Sequence, residues 1–450
     1  MKNITLFSVI VLSTFSAVAQ TPVKLTFREA IEIGLKRNIL LQQQRNQLSF
    51  TEMSKNSNLL QMTPSASING SAGRFDGNSF NQQIGEVVNG KTDYINGNIS
   101  ASIPLFNGFS QVNSFRQSKS VNDAQYQFVI RTEQDVIRNV ASQYLTALLD
   151  QQLLKIDVEN ISTQKAQYNQ IKEQVELGSR AEADMVNQEF QVKNAELLAV
   201  RSSNRLKNDL AILAQTLVID PSLTYELEDP NWDLAGAEFE GVNLEDWNKL
   251  ALQNRSDLKQ ADLNAKASQF GFYSARGRYL PNLSAFASLS SRYNFIFDFP
   301  DNRSFEDQFR KDNRQVNYGV QLTIPLFNGL IQRTQTAQAR VTYDNAKLSY
   351  LRTEIQVKTD VLLAFQNYKD AKTSYQASDA QLRAAELSYR MEKERFELGI
   401  SNVIQLTTTN QAYVRALSDY ANARYTVMFQ RLLVNYALGT LKIDDIPQGQ

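Results

Sequence analysis

A six-residue stretch that occurs twice limits this chain more than any other feature. Ile103-Pro104-Leu105-Phe106-Asn107-Gly108 returns unchanged as Ile324-Pro325-Leu326-Phe327-Asn328-Gly329, 221 positions on, and Leu177-Gly178 and Leu398-Gly399 keep the same spacing. Pro64 and Pro281 are 217 apart, as are Leu35-Lys36-Arg37-Asn38 and Leu252-Gln253-Asn254-Arg255, so the second copy gains four residues between Pro281 and Ile324. The chain reads as an internal tandem duplication, with the extra residues in a loop. A repeat this long predicts two similar halves of one body, not a solenoid.

Composition narrows the chemistry. There is no cysteine and no histidine, which removes thiolate nucleophiles, disulfides, imidazole bases and the commonest zinc ligands. An enzyme is not expected, and no cofactor. Lys and Arg number 47 against 47 Asp and Glu, so the charge balance gives no reason to expect nucleic acid as a partner. A mean hydropathy of −0.38 and the lack of any run of ~20 apolar residues beyond the N-terminus argue against a helical membrane protein. Lys2, the apolar run from Ile4 to Phe15 and Ala17-Val18-Ala19 read as a signal peptide over 1–19, cleaved before Gln20. An exported chain of this kind enters a membrane only as β-strands.

In order, residues 25–61 predict a helix stopped by Pro64. Strict alternation predicts strands at 65–75 and 94–104, separated by a loop rich in Gly, Asn and Gln. A run without proline or glycine from Phe109 to Leu177 predicts a helix over 108–177, about 100 Å long, and a shorter one is expected over 181–217. After a linker at 221–243 the second half repeats the series: a helix at 244–277, strands at 282–292 and 315–326, and helices at 329–398 and 402–438. A polar tail occupies 442–450. Leu348, Leu351, Ile355, Leu362 and Phe365 give the second long helix a heptad-like seam, interrupted by Lys358. The lengths suggest a rod, with one long helix beside two short ones in each half. By periodicity alone a coiled-coil spacer fits as well as anything else.

The strands weigh against a spacer. Each is about 10 residues long, with one small or apolar face and one polar face, which suits a tilted crossing of an outer membrane. The same alternation serves a soluble sheet, but no globular core is in prospect at the end of such a rod. Four strands cannot close a barrel and an open edge is not tolerated in lipid, so several chains must share one. Two chains give eight strands with a filled interior, whereas three give twelve and leave a lumen.

The paired Pro-Leu-Phe-Asn-Gly turns, the Leu-Gly hairpin tips and the closing Tyr436-Ala437-Leu438-Gly439-Thr440-Leu441 resemble the TolC-type outer-membrane efflux protein family from about Leu25 to Leu441. The resemblance implies an α+β membrane protein: long α-helical coiled-coil hairpins, and four strands per chain contributing to a trimeric, 12-stranded transmembrane barrel. It also implies an exit duct of a tripartite efflux or type I secretion system. Its partners would be two further copies, outer-membrane lipid, a periplasmic adaptor protein and an inner-membrane transporter of RND or ABC type. The segment from about Asp220 to Gly241, with the tail, would form a belt around the tunnel. The competing reading is a periplasmic adaptor or coiled-coil spacer that forms no pore.

The resemblance also assigns residues. The family's tunnel narrows near the hairpin tips, commonly within a ring of acidic side chains, which favours cations. Counted from Gly399, the matching positions are Gln405 and Thr408, neither of them charged, while Asp184 holds the place in the first half that Gln405 holds in the second. The expected constriction is Asp184, Gln405 and Thr408, although Asp184 equally suits a helix N-terminus. The tips Leu177-Gly178-Ser179 and Leu398-Gly399-Ile400-Ser401 would seat on the adaptor. Independently of any family, Pro104, Gly108, Pro325 and Gly329 are expected where strand turns into helix. Phe295, Phe297 and Phe299 belong either to an interface girdle or to a packed loop.

Overall fold

Residues 23–81, 85–230, 232, 243–297 and 302–445 are described by a computed structural model of the chain. The expected signal peptide, Phe299, residues 233–242 of the linker and 446–450 of the tail lie outside them.

The two proline-free runs form α3, Ser110–Glu176, and α7, Ile331–Glu397, each of 67 residues. Each is followed by a helix of 36 residues, α4 at Glu182–Leu217 and α8 at Val403–Leu438. The expected single helices at 25–61 and 244–277 are each two. The first divides into α1, Phe27–Arg37, and α2, Ile39–Leu60, and the second into α5, Leu244–Asn254, and α6, Ser256–Gly277. One residue makes each break: Asn38, at φ −56° and ψ 123°, and Arg255, at φ −58° and ψ 115°, step out of helical geometry. Neither is a proline or glycine, so composition carried no warning. At the second break the buried Arg255 guanidinium bonds Asp257 at 2.5 Å and Asp360 at 2.9 Å. Burial raises the Asp257 pKa, but Arg255 outweighs it and holds the carboxyl below its usual range.

The chain divides into two compact units. One takes the described residues up to Ile39, Glu133–Trp247 and Val361 onward. It contains a small parallel sheet of β1, Val23–Leu25, and β4, Tyr225–Leu227, which the sequence reading missed because three residues are too few to show alternation. Tyr144 is fully buried beneath it, with its hydroxyl 2.7 Å from the carbonyl oxygens of both Leu25 and Glu228 and its ring edge-on to Phe27. The Gln151 side-chain amide donates to the Leu227 carbonyl at 2.9 Å and accepts from the Leu227 N–H at 3.1 Å, standing in for a further strand.

The other unit comprises Leu40–Thr132 and Asn248–Asp360 and holds an antiparallel sheet in the order β2-β3-β5-β6. β2 (Ser65–Asn81) and β3 (Glu86–Asn107) are longer than expected, because the presumed loop continues as ladder. The Arg74–Asp93 pair at 2.6 Å and the Lys91–Asp76 pair at 3.8 Å link opposed residues there, and the Gly- and Asn-rich composition hid the strand. β5 (Asn282–Ile296) pairs with β3 on one side and β6 (Gln315–Thr323) on the other. Ile324 and Leu326, expected inside that strand, lie past its end: β5 begins at Asn282, opposite Thr323, and offers nothing further to pair with.

Beyond Ser290 the free edge of β5 is finished by side chains. Asn302 bonds both backbone groups of Ile296, Gln308 both of Asn294, and Asn313 the carbonyl of Arg292. Gln308 and Asn313 belong to a π-helical turn, Asp307–Asp312, and its end. Phe309 of that turn stacks on Phe305 and lies over Gly97, where a Cβ would come within 2.8 Å of its ring. Phe295 and Phe297 pack edge to face at 5.2 Å, with the Arg74 guanidinium 4.7 Å from the Phe297 ring centre.

In the same unit α2 and α6 both bond to α3. Thr51 meets Asn122 and Gln125 meets Gln44, while Ser274 lies within hydrogen-bond distance of Ser110 and Ser114. α7 meets α6 through Gln332, which donates to the Ala275 carbonyl. The helices thus follow the strand order.

Candidate functional site

Both hairpin tips owe their shape to a left-handed glycine. At Gly178, φ 72°, the Gly178 N–H donates to Val175 O and the Ser179 N–H to Gln174 O; at Gly399, φ 76°, Gly399 donates to Phe396 O and Ile400 to Arg395 O. These are Schellman-type closures, in which glycine avoids the strain a side chain would bring. The tips leave apolar side chains bare: Leu177 is 83% exposed, Leu398 75% and Ile400 64%. Ser401 turns back instead, its hydroxyl donating to the buried Glu392, which Arg395 also contacts at 3.3 Å. Glu392 went unnoticed in the sequence because it is one charge among many on a polar helix.

Behind the tips Ile171, Phe396, Val403 and Leu406 form a buried cluster, with Met185 and Tyr389 packed against it. Both hairpins therefore share one small core. The Arg180 guanidinium covers the Phe396 ring at 4.5 Å, and the Gln188 amide reaches Gln164 Oε1 at 2.7 Å.

Asp184 lies in the first turn of α4, half-buried, its N–H donating to the Ala181 carbonyl. Gln405 and Thr408 lie in the first two turns of α8 and are exposed, while Val403, Leu406 and Asn410 of the same helix are buried. Gln405 receives the cap, its N–H donating to Asn402 Oδ1 at 2.9 Å; the Thr408 hydroxyl donates to Ile404 O. Gln405 and Thr408 thus share a solvent-facing strip one turn long. Among the described residues no side-chain hydrogen bond or ion pair joins Asp184 to either of them.

The two strand-to-helix corners are chemically alike and differently surrounded. Pro104 stands opposite Ser284, and the ladder resumes with Phe106 opposite Leu283, a bulge. Gly108 and Phe109 follow with φ of 64° and 60°, matched by Gly329 and Leu330 at 64° and 69°. A Cβ on Gly108 would lie 2.1 Å from the Gly277 carbonyl oxygen, so only glycine lets the corner cross the end of α6. Around Gly329 the space is open, and Pro325 belongs to no ladder.

No group of three or more acidic side chains that could hold a metal ion occurs among the described residues, and no helix there is long and apolar enough to cross a membrane. The arrangement offers apolar surfaces at the tips and a polar strip on α8.

A family model described as outer membrane efflux protein matches residues 35–217 and 247–440. The chain is 25% identical over 340 residues to the protein CyaE of Bordetella pertussis, covering 75% of this chain and 68% of that one. It is 22% identical over 356 residues to the outer membrane protein TolC of Vibrio cholerae, covering 79% of each. Among solved structures CusC, described for its transmembrane channel formation, superposes with a TM-score of 0.79 over 92% of both chains at 14% identity, a likeness of fold.

Proposed function

The chain belongs to the outer membrane efflux protein family and is an outer-membrane efflux duct, and we propose that it works as one third of a closed assembly. Three copies would join their sheets into a twelve-stranded barrel around a water-filled lumen. Their helices would continue the passage into the periplasm. The observation that carries this reading is the open four-stranded sheet, whose outer edges on β2 and β6 have no partner strand among the described residues.

One face of that sheet suits lipid. Ala66 to Ala72 on β2, Ile95 to Ile103 on β3 and Val316 to Leu322 on β6 are small or apolar at alternate positions, and Ile68, Val316, Val320 and Leu322 are exposed. On the same face the Arg74–Asp93 pair ends the apolar band after roughly the 9–11 residues that cross a bilayer as a tilted strand. An open edge within lipid would leave each N–H and C=O unsatisfied, which supports several chains in one sheet. A pore-less adaptor or spacer would have no use for such a band, and the relatives do not favour it.

The rest of the assignment follows from this reading. The two halves are copies of one ancestral unit, and residues 1–19 are removed on export. The segment 221–243, whose described part supplies β4, belongs to the belt. The bare Leu177, Leu398 and Ile400 of the tips form the apolar seat for a periplasmic adaptor, through which an inner-membrane transporter of RND or ABC type supplies energy and selects cargo. Asp184, Gln405 and Thr408 line the constriction, where a carboxylate from each copy would favour cations.

The assembly is tested by the native mass of detergent-extracted protein and its conductance in a planar bilayer. A mass near three chains with stepwise conductance is expected, and a monomer that needs no detergent would refute it. Asp184→Asn should lower the preference for cations over anions; unchanged selectivity would take Asp184 out of the constriction.

A further inference from the structure

The registers inside one chain say how one copy should meet the next. Within the first hairpin Ser65 stands opposite Ser102, and within the second Asn282 stands opposite Thr323. The sequence offsets of 217 for the first strand of each hairpin and 221 for the second convert one register into the other, residue for residue. The remaining ladder, β3 with β5, can then be carried forward by the same operation. β3 becomes β6, and β5 becomes a β2 that this chain has already used inside its own sheet. It must come from a second copy.

We propose that β6 of one copy pairs antiparallel with β2 of its neighbour in the register that sets Val320 opposite Ala72, Leu322 opposite Gly70 and Tyr318 opposite Arg74. This rests on the shared barrel proposed above and adds which residues meet. The parent contacts are Ile99 with Leu289, Ala101 with Ala287 and Gly97 with Ser291.

Two further observations support the register. It keeps the apolar face continuous across the junction, whereas a slip of one residue would set Val320 and Leu322 against the polar positions Ser71 and Asn69. It also gives a partner to residues 324–328, which have no ladder among the described residues although their counterparts, Ile103 to Asn107, are paired through the bulge at Pro104. Ile324 would face Ile68 of the neighbour, Pro325 would face Ser67, and Phe327, now 85% exposed, would face Ala66. α2 and α7, which flank the two edges, carry exposed apolar side chains such as Phe50, Met53, Leu348 and Leu351.

Because the chain has no cysteine, introduced thiols report without background. Val320→Cys with Ala72→Cys would bring two thiols directly opposite each other between copies, at Cα separations of about 4.5–5.5 Å that a disulfide spans. Val320→Cys with Ile68→Cys shifts one thiol by four residues, roughly 13 Å along the strand, out of reach. Each variant is extracted in detergent, weighed in its native state, oxidised and run on a non-reducing gel. A native trimer in which the first pair gives covalent dimers and trimers and the second stays monomeric supports the register. A native trimer in which the second pair cross-links, or the first does not, overturns the register and leaves the barrel intact. A native monomer overturns both.

Discussion

The two 67-residue helices come from matching stretches of sequence and live in different surroundings. On α3, Val136, Ile137, Val140, Ala141, Tyr144, Leu145, Ala147 and Leu148 are all buried, so the helix is covered on nearly every side by its own chain. At the matching positions of α7 only Val357 and Val361 are buried, while Leu348, at 64%, and Ile355, at 57%, are exposed just before them. The corners repeat the contrast, Gly108 packed against Gly277 and Gly329 facing open space. One copy of the motif finds its neighbours within the chain, and the other leaves the same kind of surface exposed, which on the proposed assembly a neighbouring copy would cover. Burial in a single chain therefore measures which half is interior to the protomer, not which half is more important to the assembly.

Charging the exposed row is the strongest way to break the comparison. Leu351→Asp with Ile355→Asp should leave the chain's own helices in place, as judged by circular dichroism, and abolish the proposed trimer, as judged by native mass. A trimer that survived would mean the row faces no neighbour. Next in size, Tyr144→Ala should cost about 3–5 kcal/mol, as removal of a buried aromatic ring does, read from the urea midpoint. Its counterpart Phe365 is half-buried, with Trp247 edge-on at 5.5 Å, and Phe365→Ala should cost less. Equal losses would erase the distinction between the two helices.

The corners give a finer test. Ala at Gly329 meets only the left-handed backbone, a strain of about 1–2 kcal/mol. Ala at Gly108 adds the collision with the Gly277 carbonyl and should lower the thermal midpoint further. In dissociated protomers Gly108→Ala should be the worse variant, and in the assembled protein the two should converge if a neighbour closes over Gly329.

The smallest expected effect per step is a pH dependence confined to α3. Burial pushes the Asp150 carboxyl up to about 7, helped by a hydrogen bond with Asp209 and opposed by Arg205, 3.6 Å away. The matching residue of α7 is Ala371, which cannot titrate. A folded-state value above the ordinary one means the folded protein holds the proton more tightly. The stability gained is therefore complete below the ordinary value and is lost as pH rises through about 7, with a slope of at most about 1.4 kcal/mol per pH unit. Asp150→Asn should flatten this part of the stability profile; an unchanged slope would assign it to another group.

Much of the fold was legible because it depends on local chemistry. The absence of proline and glycine wrote the long helices, the Leu-Gly pairs wrote the tips, and strict alternation at Ile95 to Ile103 wrote the strands. What escaped depends on partners distant in sequence. Nothing near Asn38 announces a break, and the extension of β2 and β3 is a matter of opposed residues such as Arg74 and Asp93, not of composition. The end of β6 at Thr323 was unreadable because it reflects where β5 starts. The heptad-like seam was visible, but no single sequence says whether its cover comes from the same chain. At the tips the glycines were legible and Glu392 was not, since its burial depends on the turn made by Ser401.

The two unpaired sheet edges also bear on how the protein is made. On the proposed assembly a newly made chain would carry an apolar face and two open strand edges before any neighbour arrived, a state prone to aggregate and unable to enter lipid alone. Membrane insertion and association would then become a single event. The rate at which mature channels appear should climb more steeply than in proportion to the supply of chains, and a cell producing few of them would lose most to proteolysis in the periplasm.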